Sequence, residues 1–246
     1  MLLDARNVTM AFGAFKAVDD VSIFVNKGEI LGLIGPNGAG KSTFFNCLAG
    51  DLNPTLGAVE FEGRDITRFT SEQRAQVGIA RTFQVPATFE SMSVLDNVMI
   101  GAFLRFPRTT AARDKAREVV DFVGLGPMAL APASSLGTPG RKRLEIARAL
   151  ASQPKVLLLD EAMAGLTPAE IRMAIDLVRR IHASGITLVI VEHIMEVIIS
   201  LANRVIVFHQ GSEIASGTPH EVTSNDRVIE AYLGKRHAQK LSTGTP

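Results

Sequence analysis

Eight residues constrain this chain more than any other feature. Gly35-Pro36-Asn37-Gly38-Ala39-Gly40-Lys41-Ser42 follows the apolar stretch Glu29 to Ile34 and leads into the helix-compatible run from Thr43 to Gly50. Glycine at 35, 38 and 40 removes the Cβ at three positions of one turn, so successive backbone amides can point to a common centre. A helix beginning at the end of that turn adds unpaired N–H groups and the positive end of its dipole. The result is a cradle for phosphate oxygens. Lys41 supplies a cation for the outer phosphates of a nucleoside triphosphate. The Ser42 hydroxyl is a ligand for the Mg²⁺ that bridges them, and Thr43 continues the same turn. Strand, loop and helix in this order are what a phosphate loop requires, and they commit the chain to an α/β fold.

The rest of the pattern agrees. Apolar runs at Glu29 to Ile34, Val156 to Leu159, Thr187 to Val191 and Arg204 to Phe208 read as buried strands separated by helix-period segments, the order of a mostly parallel sheet. Alternating stretches before and after the loop, VTMAF, VSIFV and AVEFEG, predict antiparallel strands flanking it. Between Pro86 and Ser135 a helical period at Ala111 to Val123 lies among segments rich in Pro, Gly and Thr, which predicts a small helical subdomain. The tail after Gly234 is polar and predicts disorder. Asn26-Lys27-Gly28-Glu29 superficially suggests guanine recognition, but it precedes the loop and reads as a turn feeding the strand.

A second candidate site lies at the end of VLLLDE. Asp160 closes an apolar strand, where an Mg²⁺ shell needs an anion, and Glu161, facing the other way as strand neighbours do, is placed to polarise a water. Composition excludes other classes. The net charge is +1, so nothing suggests nucleic-acid binding through phosphate neutralisation. A single cysteine, Cys47, rules out an intrachain disulfide or a cysteine-built zinc site, and its place on the helix after the loop predicts a core position. No run reaches the ~18 apolar residues of a spanning helix, and the first ten residues lack the order of a signal peptide. A mean hydropathy of +0.20 fits a large core with part of the surface covered by a partner.

These segments together resemble the ATP-binding subunits of ABC transporters, from Leu2 to Gly234 and with the motifs in the family's order. The resemblance implies a P-loop NTPase core of the ABC ATPase type with an antiparallel β flank and a small helical subdomain. That is one domain over 1–234, with the helical part at about 86–150 and a disordered tail at 235–246. Gln84 in ARTFQVP matches the glutamine that touches Mg²⁺ or the lytic water, and His193 in IVEHIMEV matches the histidine that contacts the γ-phosphate. Phe12 in AFGAFKAV falls where the family stacks an aromatic on adenine, with Phe15 a nearby alternative, and Ala164 to Thr167 occupy the D-loop. SVLDNVMIG, RLEIARAL, AGLTPAE, GSEIASGTPHEV and AYLG look like the branched-chain amino acid importer group.

One segment departs from the family. Its LSGGQ signature aligns with Leu136-Gly137-Thr138-Pro139-Gly140, so Gly137 replaces the serine, and Pro139, in place of the second glycine, has no N–H to donate. Thr138 is a candidate N-cap with proline at the first helical position, and the basic run Arg141 to Arg143 is either solvated or restores attraction for phosphate. In the family Gly137, Thr138 and Gly140 would face ATP held by another subunit.

The resemblance thus implies an ATPase using ATP and Mg²⁺, peripheral on the cytoplasmic face of a membrane. Its partners would be a second ABC ATPase subunit, identical or not, transmembrane permease subunits and a substrate-binding protein, with no nucleic acid. An exporter or lipid-extraction motor, or a soluble regulatory ABC ATPase, are the alternatives on the same fold.

Overall fold

The computed structural model describes residues 1–83 and 87–233, so Gln84 and the tail from Gly234 onward lie outside the described residues. The chain divides into two compact units, one made of residues 1–70 with the chain from Val189 onward, the other of Ser71–Leu188.

In the first unit, β1 (Leu3–Phe12) and β2 (Phe15–Val25) form a hairpin, β3 (Ile30–Ile34) feeds the glycine loop, and α1 (Lys41–Ala49) follows it. Then come β4 (Leu56–Phe61) and β5 (Arg64–Asp65), which complete an antiparallel sheet in the order β2-β1-β4-β5. Toward its end β2 alternates, burying Val21, Ile23 and Val25 with exposed residues between, as a half-covered strand must. In contrast β3 is buried at all five positions. That is why it reads as a continuous apolar run rather than an alternating one.

The second unit opens with α2 (Ser71–Val77) and β6 (Ile79–Arg81) and continues through α3 (Val94–Ala102), α4 (Thr109–Phe122) and α5 (Thr138–Ala151). After these come β7 (Val156–Asp160), α6 (Pro168–Ala183) and β8 (Thr187–Val191), inside which the unit boundary falls. Strands β6 and β7 pair in parallel, Ile79 opposite Val156. On α4 the buried residues are Ala112, Ala116, Val119 and Val120, one face of a 3.6-residue period, and this spacing is what marks the helix in the sequence. Ser93 caps α3 by accepting from the Asp96 amide. A full capping box of Thr167 and Glu170 starts α6, with Pro168 in its first turn.

Back in the first unit, α7 (Met195–Leu201), β9 (Arg204–His209), β10 (Ser212–Gly217), α8 (Pro219–Thr223) and α9 (Asp226–Leu233) complete the described chain. Strand β9 lies parallel to β3, Ile34 opposite Val207, and β10 turns back antiparallel along β9. Ile34 packs in one cluster with Ile198 of α7, Val205 and Val207 of β9, Val222 of α8 and Val228 of α9. The residue before the glycine loop is therefore fixed by five others. This is a mixed α/β architecture, as the strand pattern predicts.

Helices α3 and α5 cross closely at Gly101, where a Cβ would collide with the backbone carbonyl of Arg148. Because a carbonyl inside a helix cannot move aside, Gly101→Val should lower stability by about 1–3 kcal/mol, seen as a drop in melting temperature. An unchanged melting curve would mean the helices part at no cost.

Candidate functional site

The phosphate loop is held in shape by its neighbours. Gly35, Gly38 and Gly40 have φ of 145°, 78° and 100°, a region that side chains disfavour, and a Cβ on Gly35 or Gly40 would strike the carbonyl of Phe208 or Ala17. The Ala39 amide donates to the Pro36 carbonyl, and the Gly211 amide donates to the Ala39 carbonyl at 2.9 Å. Gly40 occupies the N-cap of α1 with no side-chain cap. The first amides of the helix therefore have no acceptor within it. Lys41 is buried, and its Nζ donates to the carbonyls of Gly35 at 2.7 Å and Pro36 at 3.0 Å. Asn37, Gly38 and Ser42 are exposed, so the loop presents its concave face outward. Cys47 is buried in α1, as its position predicts.

His193 follows β8 and is exposed. The amide before it, of Glu192, donates to the Leu33 carbonyl of β3, which brings His193 to the strand end that carries the glycine loop. Phe12 and Phe15 face each other across the hairpin that turns at Gly13, and both are exposed. Either ring is accessible for stacking.

In the second unit Asp160 ends β7 with its side chain buried. Its amide donates to the Thr82 hydroxyl, and the guanidinium of Arg81 lies 3.7 Å from its carboxylate. The strand stops there. Glu161 is consequently not a strand neighbour facing the opposite side, as alternation predicts; it takes φ +44°, in the left-handed region. Its carbonyl accepts from the Ala164 amide at 3.1 Å and from Lys142 Nζ at 3.1 Å. The D-loop from Ala164 passes through Gly165 at φ 75° into the capping box of α6.

The altered signature also differs from its expected form. Gly137, extended at φ −68° and ψ 174°, is the N-cap of α5, while Thr138 is already helical and caps nothing. Proline in the first turn sets this register, because its fixed φ suits that turn and its missing N–H needs no partner there. Two members of the basic run are engaged within the chain. Arg141 is tied to the carbonyls of Leu136 and Ser134 and to Glu90, and Lys142 is buried.

Glu145 escaped the sequence-based expectations. It is buried on α5 and accepts from the Phe83 amide at 3.0 Å, while Arg148 one turn later donates to the Ala87 carbonyl at 2.6 Å. Burial pushes its carboxyl above the ordinary value, against the opposing pull of the Phe83 amide and Arg148. The available signal was an acid set between Leu144 and Ile146 in a helix, which alternation on a solvated face does not explain.

Among the described residues no group of three or more His, Cys, Asp or Glu gathers as a metal site. A hard divalent cation here would need oxygen ligands from bound phosphate and water besides the protein's own.

A glycine cradle at a strand end, a buried lysine in it, and an aspartate closing another strand define a nucleotide-hydrolysing cassette of the P-loop class. The family model described as ABC transporter matches residues 18–164, and the model described as branched-chain amino acid ATP-binding cassette transporter matches 213–238. The chain belongs to the ABC transporter family and is one of its ATPases. It is 37% identical over 250 residues to the high-affinity branched-chain amino acid transport ATP-binding protein LivG of Salmonella typhimurium, covering 95% of this chain and 98% of that one. It is 33% identical to BraF of Pseudomonas aeruginosa, a protein of the same description, with the same coverage. An ATP-binding cassette of an ABC transporter, solved in its ADP conformation, superposes with a TM-score of 0.86 at 34% identity, covering 95% of this chain and 99% of that one.

Two outcomes follow from this geometry. Lys41→Ala should weaken binding of a fluorescent ATP analogue by about 10- to 100-fold, since a charge-assisted contact is lost; unchanged affinity in the folded variant would remove Lys41 from the site. For Glu145, a raised folded-state value means the folded chain holds the proton more tightly, so ionisation costs stability as pH rises past the ordinary carboxylate range. Glu145→Gln should therefore gain in melting temperature relative to wild type as pH rises past the ordinary carboxylate range, and a constant difference would show that the carboxyl titrates normally.

Proposed function

We propose that this chain is the ATP-hydrolysing subunit of a branched-chain amino acid importer. It would work at the cytoplasmic face of the membrane, paired with a second ABC ATPase subunit beneath transmembrane permease subunits, with a substrate-binding protein delivering the solute. The observation that carries the importer assignment is the match of residues 213–238 to the branched-chain group, beyond the ATPase region shared by the whole family. No helix among the described residues is long and apolar enough to cross a membrane, which fits a subunit that drives a separate permease.

In this proposal the amides from Gly38 to Thr43 and the Lys41 ammonium bind the phosphates of ATP, with Gly35, Pro36 and Asn37 shaping the cradle. Phe12 stacks on adenine. Ser42, Asp160 and Gln84 would hold Mg²⁺, which would offset charge on the phosphates when bound. Glu161 takes a proton from the attacking water, the new P–O bond forms at the γ-phosphorus as the bond to ADP breaks, and His193 contacts the γ-phosphate. Helices between Val94 and Ala151 would carry the motion to the permease.

Gly137, Thr138 and Gly140 would face ATP held by the other subunit. Serine hydroxyl and one amide are absent there, and Arg141 is committed elsewhere, so the loss is about 3–4 kcal/mol per missing donor by analogy with oxyanion-hole deletions. Two different sites result if the partner carries an intact signature: ATP on this chain is hydrolysed, and ATP on the partner turns over slowly. The purified chain alone should therefore hydrolyse ATP weakly, and Gly137→Ser with Pro139→Gly should raise its rate. Full activity of the wild-type chain alone, unchanged by the double substitution, would make LGTPG a working signature in its own right. Uptake of labelled leucine by vesicles carrying the assembled transporter tests the substrate; uptake independent of this chain would remove the importer assignment.

A further inference from the structure

Lysine is seldom buried without a partner, yet Lys142 is 8% exposed, one turn into α5. Its Nζ donates at 3.1 Å to the backbone carbonyl of Glu161. The same oxygen accepts from the Ala164 amide at 3.1 Å. A carbonyl has two lone pairs, so two donors at this distance fix the plane of the peptide that leaves Glu161. Glu161 needs such fixing, because a non-glycine residue at φ +44° lies in a disfavoured region that persists only where its surroundings hold it. The direction of its Cα–Cβ bond, and with it the reach of the carboxylate, is set by that backbone.

We propose that Lys142 is a positioning residue for ATP hydrolysis: from the signature helix it holds the Glu161 backbone in its left-handed conformation and so aims the Glu161 carboxylate. This rests on the assignment of Glu161 as the group that takes the proton from water. A charged donor suits the task, since an ammonium-to-carbonyl bond is stronger than a neutral one and tolerates the loss of its hydration better when a second acid, Glu145, lies near enough to interact with it.

The test compares Lys142→Met, Lys142→Arg and Glu161→Gln with the wild-type full chain, in single-turnover hydrolysis of labelled ATP with Mg²⁺ and protein in excess. Equilibrium binding of the same ATP is measured alongside. Lys142→Met should slow hydrolysis at saturation by about tenfold or more while affinity stays within about twofold, and Lys142→Arg, which keeps a charged donor, should recover most of the rate. Should Lys142→Met fail to fold, Lys142→Gln keeps a neutral donor of similar reach and should fall between wild type and Glu161→Gln. Wild-type hydrolysis by Lys142→Met beside a slow Glu161→Gln would overturn the proposal, as would a loss of rate that tracks a loss of binding. Wild-type hydrolysis by Glu161→Gln would instead overturn the assignment of the base itself.

Discussion

Everything in the first unit depends on one arrangement of backbone: a helix whose opening amides have no helical acceptor, started at the end of a fully buried strand by a loop that only glycine can follow. Amides left without partners are costly if buried and useful if aimed at an anion. The carbonyls of Phe208 and Ala17 press on the two positions where a side chain would otherwise stand, so the loop cannot relax into a more ordinary turn. The cluster around Ile34 then anchors the strand that enters it, drawing on α7, α8, α9 and β9. The cradle is rigid because its supports are backbone groups and a packed apolar core.

The second unit shows how acids are held at buried positions. Asp160 is kept at a buried strand end by the Thr82 hydroxyl and the nearby Arg81 guanidinium. Along α5, Arg141, Glu145 and Arg148 recur at helical spacing and hold Glu90, Phe83 and Ala87 respectively. One helix thereby organises its own first turn, the residues after β6 and the turn after β7.

Local pattern was enough for much of this. The runs that form β3, β7, β8 and β9 are legible because four or five successive apolar residues with no 3.6 period have few other readings, and α4 is legible from its spacing of alanine and valine. The glycine loop is legible because its conformation is encoded in the residues that form it. What sequence did not disclose depends on partners far along the chain. Glu145 meets Phe83 across 62 positions and Arg141 meets Glu90 across 51, and no local rule says that one arginine of a basic run will be engaged by such a contact. The N-cap of α5 was misjudged for a related reason: threonine is the better capping residue in isolation, but proline two places after Gly137 decides where the helix begins.

The backbone at Glu161 also bears on how this protein could be made more stable. Left-handed φ is most comfortable for glycine, and next for asparagine, so a sequence chosen only for melting temperature would place one of them at 161. Such a chain would fold a little more firmly and would lack a carboxylate after β7. A carboxylate after β7 is thus carried on a backbone conformation that glycine or asparagine would adopt more easily.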